Sequence, residues 1–332
     1  MTISVAERSD LITAISAAVR APSIHNTQPW LFRLRDSGVD LYADPARQLP
    51  VSDPDGRALR LSCGAALLNL RLGLAHLGHA LSCELLPDRD DPALLARVHL
   101  TGRTRPTWRE ETLYAAIARR HSNRQPFLAT YVAPDLRTRL VQAAREEGAW
   151  LDLMIGPPAL DMVAELVRVA DGILNHDDGY RAELATWTRR VDTDADGVPS
   201  SAGGPAPDPG DLLVTRDFGG PPRPAARPFE TDPLVAVLGG HGELPTDDLI
   251  AGQALQRVLL TATSNGLSTS LFSQPIDVPS IREQLRLGLR RSGSPRILLR
   301  TGYGVPGTPT PRRPVAEVLT DLTHPHLTAD AA

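Results

Sequence analysis

Apolar residues fall at helical spacing over residues 4–19, where Leu11, Ile12, Ile15, Ala18 and Val19 share a face, and Pro22 stops the helix. Trp30-Leu-Phe-Arg-Leu then alternates with period two, as does Val39-Asp-Leu-Tyr, and both predict strands. Residues 56–79 are apolar almost all round, which predicts a helix buried as the spine of a domain. Gly78 closes it, and residues 80–86 predict the next strand.

The plan recurs further along. Residues 251–265 predict a second buried helix, closed by Gly266 and followed by a strand-like segment at 267–272. Residues 135–148, followed by Ala149-Trp150-Leu-Asp-Leu-Met-Ile, mirror residues 10–20 followed by Trp30-Leu-Phe-Arg-Leu. Helix, turn, tryptophan and strand in both copies predict an internal duplication, with halves at 1–108 and 109–325. One stretch fits neither copy. Residues 191–228 are crowded with proline and glycine and nearly without periodicity, and loops of this length are usually lids or linkers, so we read an inserted lid.

Composition narrows the function classes. Hydrophobic residues make up 42 % and charged residues 22 % of the 332, which reads as globular, and a net charge of −4 gives no reason to expect nucleic acid. No signal peptide and no run of eighteen apolar residues is found, so the expected location is the cytoplasm, away from any membrane. Every one of the 35 basic residues is arginine, so any anion site here must use guanidinium. Two cysteines, Cys63 and Cys83, are too few for a disulfide framework or a zinc site.

Two polar stretches stand out against this background. Pro22-Ser23-Ile24-His25-Asn26-Thr27-Gln28-Pro29-Trp30 holds short hydrogen-bonding side chains between two prolines, a loop suited to a planar, hydrogen-bonding ring. Arg119-Arg120-His121-Ser122-Asn123-Arg124 packs three guanidiniums, a histidine and a serine where a helix should end, and suits a phosphate. The plainer alternatives are ordinary turn chemistry for Ser23 and Asn26, and cations offsetting a helix dipole for Arg119 and Arg120. His25 reads as a solvent-facing turn residue and Trp30 as core.

Together the motifs Pro22-Ser23-x-x-Asn26-x-Gln28-Pro29-Trp30 and Arg120-His121-Ser122-x-Arg124 resemble the two halves of the flavin site of the nitroreductase superfamily. Pro309-Thr-Pro-Arg312-Arg313-Pro314 resembles the C-terminal Arg-Arg-Pro of its Acg-like branch. The resemblance implies an α+β fold: two tandem nitroreductase-like halves, each an antiparallel sheet with a long central helix, forming a pseudo-dimer within one chain. Such proteins are usually homodimers with flavins at the interface. Here each half keeps a different part of the site, which implies a single flavin site and a monomeric chain, with a homodimer as the alternative.

The implied cofactor is FMN. Arg120, Arg124 and one of Arg312 or Arg313 would hold its phosphate with Ser122 and His121, while Pro22, Ser23, Ile24, Asn26 and Gln28 would line the ring or ribityl chain. Phe272, Ser273 and Gln274 would pass the reactive nitrogen, N5, although the Glu-Gly usual in that segment is missing. The implied activity is NAD(P)H oxidation coupled to a nitroaromatic or quinone-like acceptor in a ping-pong cycle, with no catalytic side chain demanded. The competing reading is an FMN-holding protein whose lid excludes nicotinamide.

Three decoys are set aside. Gly302-Tyr-Gly304-Val-Pro-Gly307 matches a dinucleotide fingerprint, but Pro306, Pro309 and Pro311 forbid the helix that must follow. Asp192-x-Asp194-x-Asp196-Gly197 starts like a calcium loop but has Gly203 where a bidentate glutamate is needed. His76 and His79 read as neighbours on one helix face, with no third metal ligand near.

Overall fold

Ser4 opens the first helix by a reciprocal cap: its hydroxyl accepts from the Glu7 amide at 3.2 Å, and the Glu7 carboxylate accepts from the Ser4 amide at 2.8 Å. The computed structural model describes residues 4–189, 194–206, 208, 210–219, 223–225, 227–305 and 307–321. Helix α1 (Val5–Ala18) leads through the motif loop to β1 (Trp30–Arg35) and β2 (Gly38–Ala43). Then come α2 (Arg57–His76), β3 (His79–Leu85) and β4 (Leu94–Arg103). Helices α3 (Trp108–Ile117) and α4 (Pro134–Glu146) precede β5 (Trp150–Met154), and α5 (Pro157–His176) and α6 (Asp178–Thr186) follow it. Two short strands, β6 (Thr188–Arg189) and β7 (Val198–Pro199), pair with each other. The chain closes with β8 (Leu234–Gly239), α7 (Pro245–Ser264), β9 (Ser268–Phe272), α8 (Gln274–Asp277), α9 (Pro279–Gly288), β10 (Pro295–Gly302), α10 (Val315–Val318) and β11 (Leu319–Asp321).

The fold is α+β, with two principal sheets ordered β11-β1-β2-β4-β3 and β5-β8-β10-β9. The second is antiparallel throughout, as expected. In the first, β11 departs from the expectation: it pairs parallel to β1, with Phe32 opposite Leu319, so the end of the described chain returns to the sheet where it began. Other boundaries also differ from the sequence reading. Helix α7 starts six residues before the apolar run because Pro245 sits in its first turn and Asp247 accepts from the Leu244 amide at 2.9 Å. His79 belongs to β3, beyond the Gly78 turn, and is tied to Asp10 at 2.7 Å, whereas His76 is tied to Glu111 at 2.8 Å. Asp192 and Pro306, on which two of the decoys turned, lie outside the described residues. Among the described residues no cluster could hold a metal.

Helix α2 is apolar and long enough to suit a membrane by composition alone, but 83 % of its most apolar window is buried inside the protein. Much of that burial is against α7. The two helices cross at Gly64 and Gly252: a Cβ on Gly64 would lie 2.3 Å from the Leu249 carbonyl oxygen, and one on Gly252 would lie 2.1 Å from the Leu61 oxygen. Gly64 is the eighth residue of α2 and Gly252 the eighth of α7; Leu61 and Leu249 are each the fifth. The contact is therefore self-complementary, the pattern that a two-fold axis imposes. Nearby, the Gln256 amide donates to Asn69 Oδ1 at 2.7 Å, which joins the helices through a buried polar pair.

Candidate functional site

The loop after α1 is backbone-strained. His25, Asn26 and Gln28 have φ of 48°, 56° and 52°, left-handed values that cost roughly 1–3 kcal/mol each unless the surroundings hold them. The side chains supply that hold. Ser23 Oγ accepts from the Gln28 amide at 2.9 Å. Asn26 Nδ2 donates to the carbonyls of Gly197 (2.9 Å) and Pro311 (3.1 Å), and Gln28 Nε2 donates to Ala195 at 2.8 Å while its Oε1 accepts from the Arg313 amide at 2.8 Å. Asn26 and Gln28 thus bind the loop to the 195–197 segment and to the C-terminal arm.

The second motif is pinned elsewhere. Ser122 bridges to Thr269, and the Asn123 amide donates to the Thr269 oxygen at 2.7 Å, which fixes residues 120–124 along β9. The structure brings Pro22, Ser23, Ile24, Ser122, Arg124, Phe272, Ser273 and Gln274 to the wall of one open cavity, whose empty volume with its mouth is about 1370 Å³. Asn26, Gln28, Arg120, His121, Arg312 and Arg313 are not part of that wall.

The arginines divide into two places. Arg120 is buried; its Nη2 donates to the Arg20 oxygen at 3.4 Å, and its Nε and Nη1 have no partner among the described residues. Arg312 is half-buried; its Nη1 donates to Asn26 Oδ1 (3.0 Å), Thr310 Oγ1 (2.6 Å) and the Pro311 oxygen (2.8 Å), its Nη2 to the oxygens of Arg20 (3.4 Å) and Ala21 (3.2 Å), and its Nε is unpartnered. Burial and the neighbouring Arg20 push Arg120 down to about 10; burial, Arg120 and Arg20 push Arg312 down to about 9. His121, beside them, is pushed to about 4 by burial and then by Arg120, Arg312 and Arg20. No carboxylate figures among the causes acting on these three groups. Arg313 differs: it faces Glu317 at 3.4 Å and Asp44 at 3.7 Å.

Arg124 lies with the cavity. Its guanidinium sits over the Phe218 ring at 4.6 Å, its Nη1 donates to the Ala202 oxygen at 2.8 Å, and burial followed by Arg216 lowers it to about 10. The sequence reading put Arg120, Arg124 and one C-terminal arginine around one phosphate. In the structure Arg120 and Arg312 meet, and Arg124 stands apart from them beside Arg216.

His25 corrects its own expectation. It is 4 % exposed instead of solvent-facing, neither ring nitrogen has a partner among the described residues, and its ring meets Phe218 edge-on at 6.0 Å. Burial, then Arg216 and Arg124, hold it well below the usual histidine range, so it is neutral. Arg216 and Phe218 were missed at the sequence level, since they lie in the aperiodic segment. Val198, Ala202, Leu213 and Phe218 pack into the core cluster of α5, and Arg216 pairs with Asp277 at 3.0 Å. The described part of this segment is docked against the cavity.

Two carboxyls on the cavity wall were also missed. Asp53 accepts from the amides of Ala58 (3.0 Å) and Leu59 (2.8 Å), yet burial pushes it up to about 6; burial pushes Asp277 to about 6 as well, even with Arg216 beside it. A folded-state value above the unfolded one means that the native protein holds the proton longer, so this contribution to stability is full below about pH 4 and is lost as pH rises through about 6. The fall in melting temperature over that window should be shallower in Asp53→Asn than in the parent, as read by calorimetry at pH 4, 5, 6 and 7. Equal slopes would mean that Asp53 titrates normally.

An α+β protein with one cavity reached by both motif segments, and a cationic nest of Arg120 and Arg312 off its wall, is what these residues define. No family model matches the chain. It is 34 % identical over 317 residues to a Mycobacterium tuberculosis protein provisionally named NAD(P)H nitroreductase Rv3131, covering 92 % of this chain and 90 % of that one. It is 30 % identical over 315 residues to the protein provisionally named NAD(P)H nitroreductase acg of the same organism, covering 92 % and 94 %. The chain belongs to the nitroreductase family, on its acg-like branch. Among solved structures, the nitroreductase with bound FMN from Desulfitobacterium hafniense shares 16 % identity at a TM-score of 0.38, covering 63 % of this chain and 97 % of that one, a likeness too slight to argue from.

Proposed function

We propose that this chain is an FMN-dependent NAD(P)H oxidoreductase acting on nitroaromatic or quinone-like acceptors. The observation that carries the reading is the nest of Arg120 and Arg312: a buried guanidinium with two unpartnered nitrogens beside a half-buried one with its Nε unpartnered, and no carboxylate to offset them. Burying unpaired like charges is costly, and a phosphate placed there would satisfy them. The named relatives supply the nicotinamide half of the reading.

On this reading Arg120 and Arg312 hold the FMN phosphate, with His121 and Ser122 beside them. Pro22, Ser23 and Ile24 border the ring from one side, Phe272 and the backbone of Ser273 from the other, and Arg124 supplies a positive charge near the ring. Asn26, Gln28 and Arg313 act through the loop they brace. The bound flavin supplies the two-electron redox chemistry; the protein contributes position, electrostatics and access. Donor and acceptor would use the same open cavity in turn, as a ping-pong cycle requires. We also infer that residues 1–108 and 109–325 are duplicated halves and that the chain is monomeric, supported by the self-complementary α2–α7 contact.

A second reading is favoured by one observation. Phe218 and Arg216 of the inserted segment pack on His25 and Asp277 at the cavity, so the segment could act as a cover over held flavin that excludes nicotinamide. An anaerobic absorbance titration separates the two. Flavin peaks that bleach with NADPH or NADH are expected, and Phe218→Ala should bleach faster. Flavin that bleaches with dithionite but with neither nucleotide, in parent and variant alike, would sink the oxidoreductase reading. A protein that neither carries nor takes up FMN would sink both.

A further inference from the structure

The same cavity has a second charged region that the flavin reading does not use. Arg57, the first residue of α2, and Arg282, on the first turn of α9, both line it, together with Arg296 of β10. Arg296 pairs with Asp248 at 2.7 Å, a carboxylate it shares with Arg60. The other two are not. Arg57 donates to Ser294 Oγ at 3.2 Å and Arg282 to the Ile276 oxygen at 3.0 Å, and among the described residues neither has a carboxylate within ion-pairing distance. Asp55 and Glu243 act on Arg282 only from beyond that range. Asp53, on the same wall, spends both carboxylate oxygens on the amides of Ala58 and Leu59.

Two half-buried guanidiniums therefore approach each other on one cavity wall, joined by a third, without the counter-charge that such groups ordinarily find. Their mutual influence is felt: burial, then Arg57 and Arg296, lower Arg282. Unlike the nest of Arg120 and Arg312, which lies off the cavity wall, this pair opens into it. A guanidinium pair with free donors facing an accessible cavity is the arrangement that grips an oxyanion, by parallel N–H bonds to two of its oxygens.

We propose that Arg57 and Arg282 form an oxyanion subsite, so that the substrate this cavity takes carries a carboxylate or a phosphate. The inference rests on the oxidoreductase reading for the identity of the cavity's ligand as a substrate. The anion has two possible carriers, the acceptor or the adenosine ribose of a phosphorylated nicotinamide donor.

The test is calorimetric titration of the purified protein with 4-nitrobenzoate, its neutral methyl ester, and adenosine 2′-phosphate. The parent should bind at least one of the two anions. Arg57→Gln with Arg282→Gln should weaken that binding about tenfold or more and leave the methyl ester within about twofold. Arg57→Lys with Arg282→Lys, which keeps the charge, should recover most of the loss and serves as the control for folding. Loss confined to 4-nitrobenzoate assigns the subsite to the acceptor; loss confined to adenosine 2′-phosphate assigns it to the donor. Equal anion binding in parent and glutamine variant, or no anion binding by the parent, overturns the proposal. Because calorimetry needs no turnover, a protein that binds anions in this arginine-dependent way yet never bleaches with nicotinamide would refute the oxidoreductase reading and keep the subsite.

Discussion

Arg120→Met with Arg312→Met is expected to purify without FMN, and Arg120→Met alone, compared with flavin-free parent protein, to melt at a higher temperature. Each guanidinium that binds phosphate contributes about 1.5–3 kcal/mol through charge-assisted bonds, so losing two loosens flavin by more than about a hundredfold. The higher melting temperature follows from the surroundings of Arg120. It is buried beside Arg312 with two of its three guanidinium nitrogens unpartnered, and replacing such a group with an apolar side chain of similar length removes that penalty. Methionine is chosen over alanine because it keeps the packing of the arginine stem. Flavin content by absorbance and paired melting curves with and without added FMN give both signs. A purely structural role for these arginines would lower stability and leave flavin content alone, and that result would refute the phosphate assignment.

The crossing of α2 and α7 should tolerate no added methyl group. Gly64→Ala puts a methyl group 2.3 Å from a backbone oxygen, and Gly252→Ala puts one at 2.1 Å from its counterpart, so the helices must move apart along their whole buried length. Overpacking of this kind costs about 1–3 kcal/mol and occasionally more. With two rigid backbones in contact we expect about 3 kcal/mol for either substitution, a drop in melting temperature of about 4 °C for a chain of 332 residues. The two effects should also be less than additive, because a helix pair already displaced by one methyl has room for the other. Fully additive losses in calorimetry would mean that the glycines do not share one contact.

Much of this architecture was readable in advance, and what was not has identifiable causes. The two central helices were plain because burial on all sides leaves long apolar runs, as at Leu67, Leu68 and Leu70. Both motif loops were found from their unusual density of donors. The partition of the arginines was not legible: Arg120 and Arg124 are four residues apart, and which way each side chain turns depends on the carbonyl of Arg20 for one and on Ala202 and Phe218 for the other. Asn26 and Gln28 looked like ligand-binding groups because a polar side chain does not announce its partner. Theirs lie at Ala195, Gly197 and Pro311, far along the chain. The burial of His25 depends on Phe218, which sits in a stretch whose prolines and glycines suppress every periodic signal.

The self-complementary crossing at Gly64 and Gly252 has a consequence for how the protein behaves on dilution. Where such a contact joins separate polypeptides, the cavity beside it exists only while they remain together, and a scarce protein spends part of its time apart. On the monomeric reading both helices belong to one folded chain, so their contact is intramolecular, held further by the strand that returns to β1, and does not depend on protein concentration. With free FMN held in fixed excess, flavin occupancy per chain and melting temperature should therefore be the same at nanomolar as at micromolar protein.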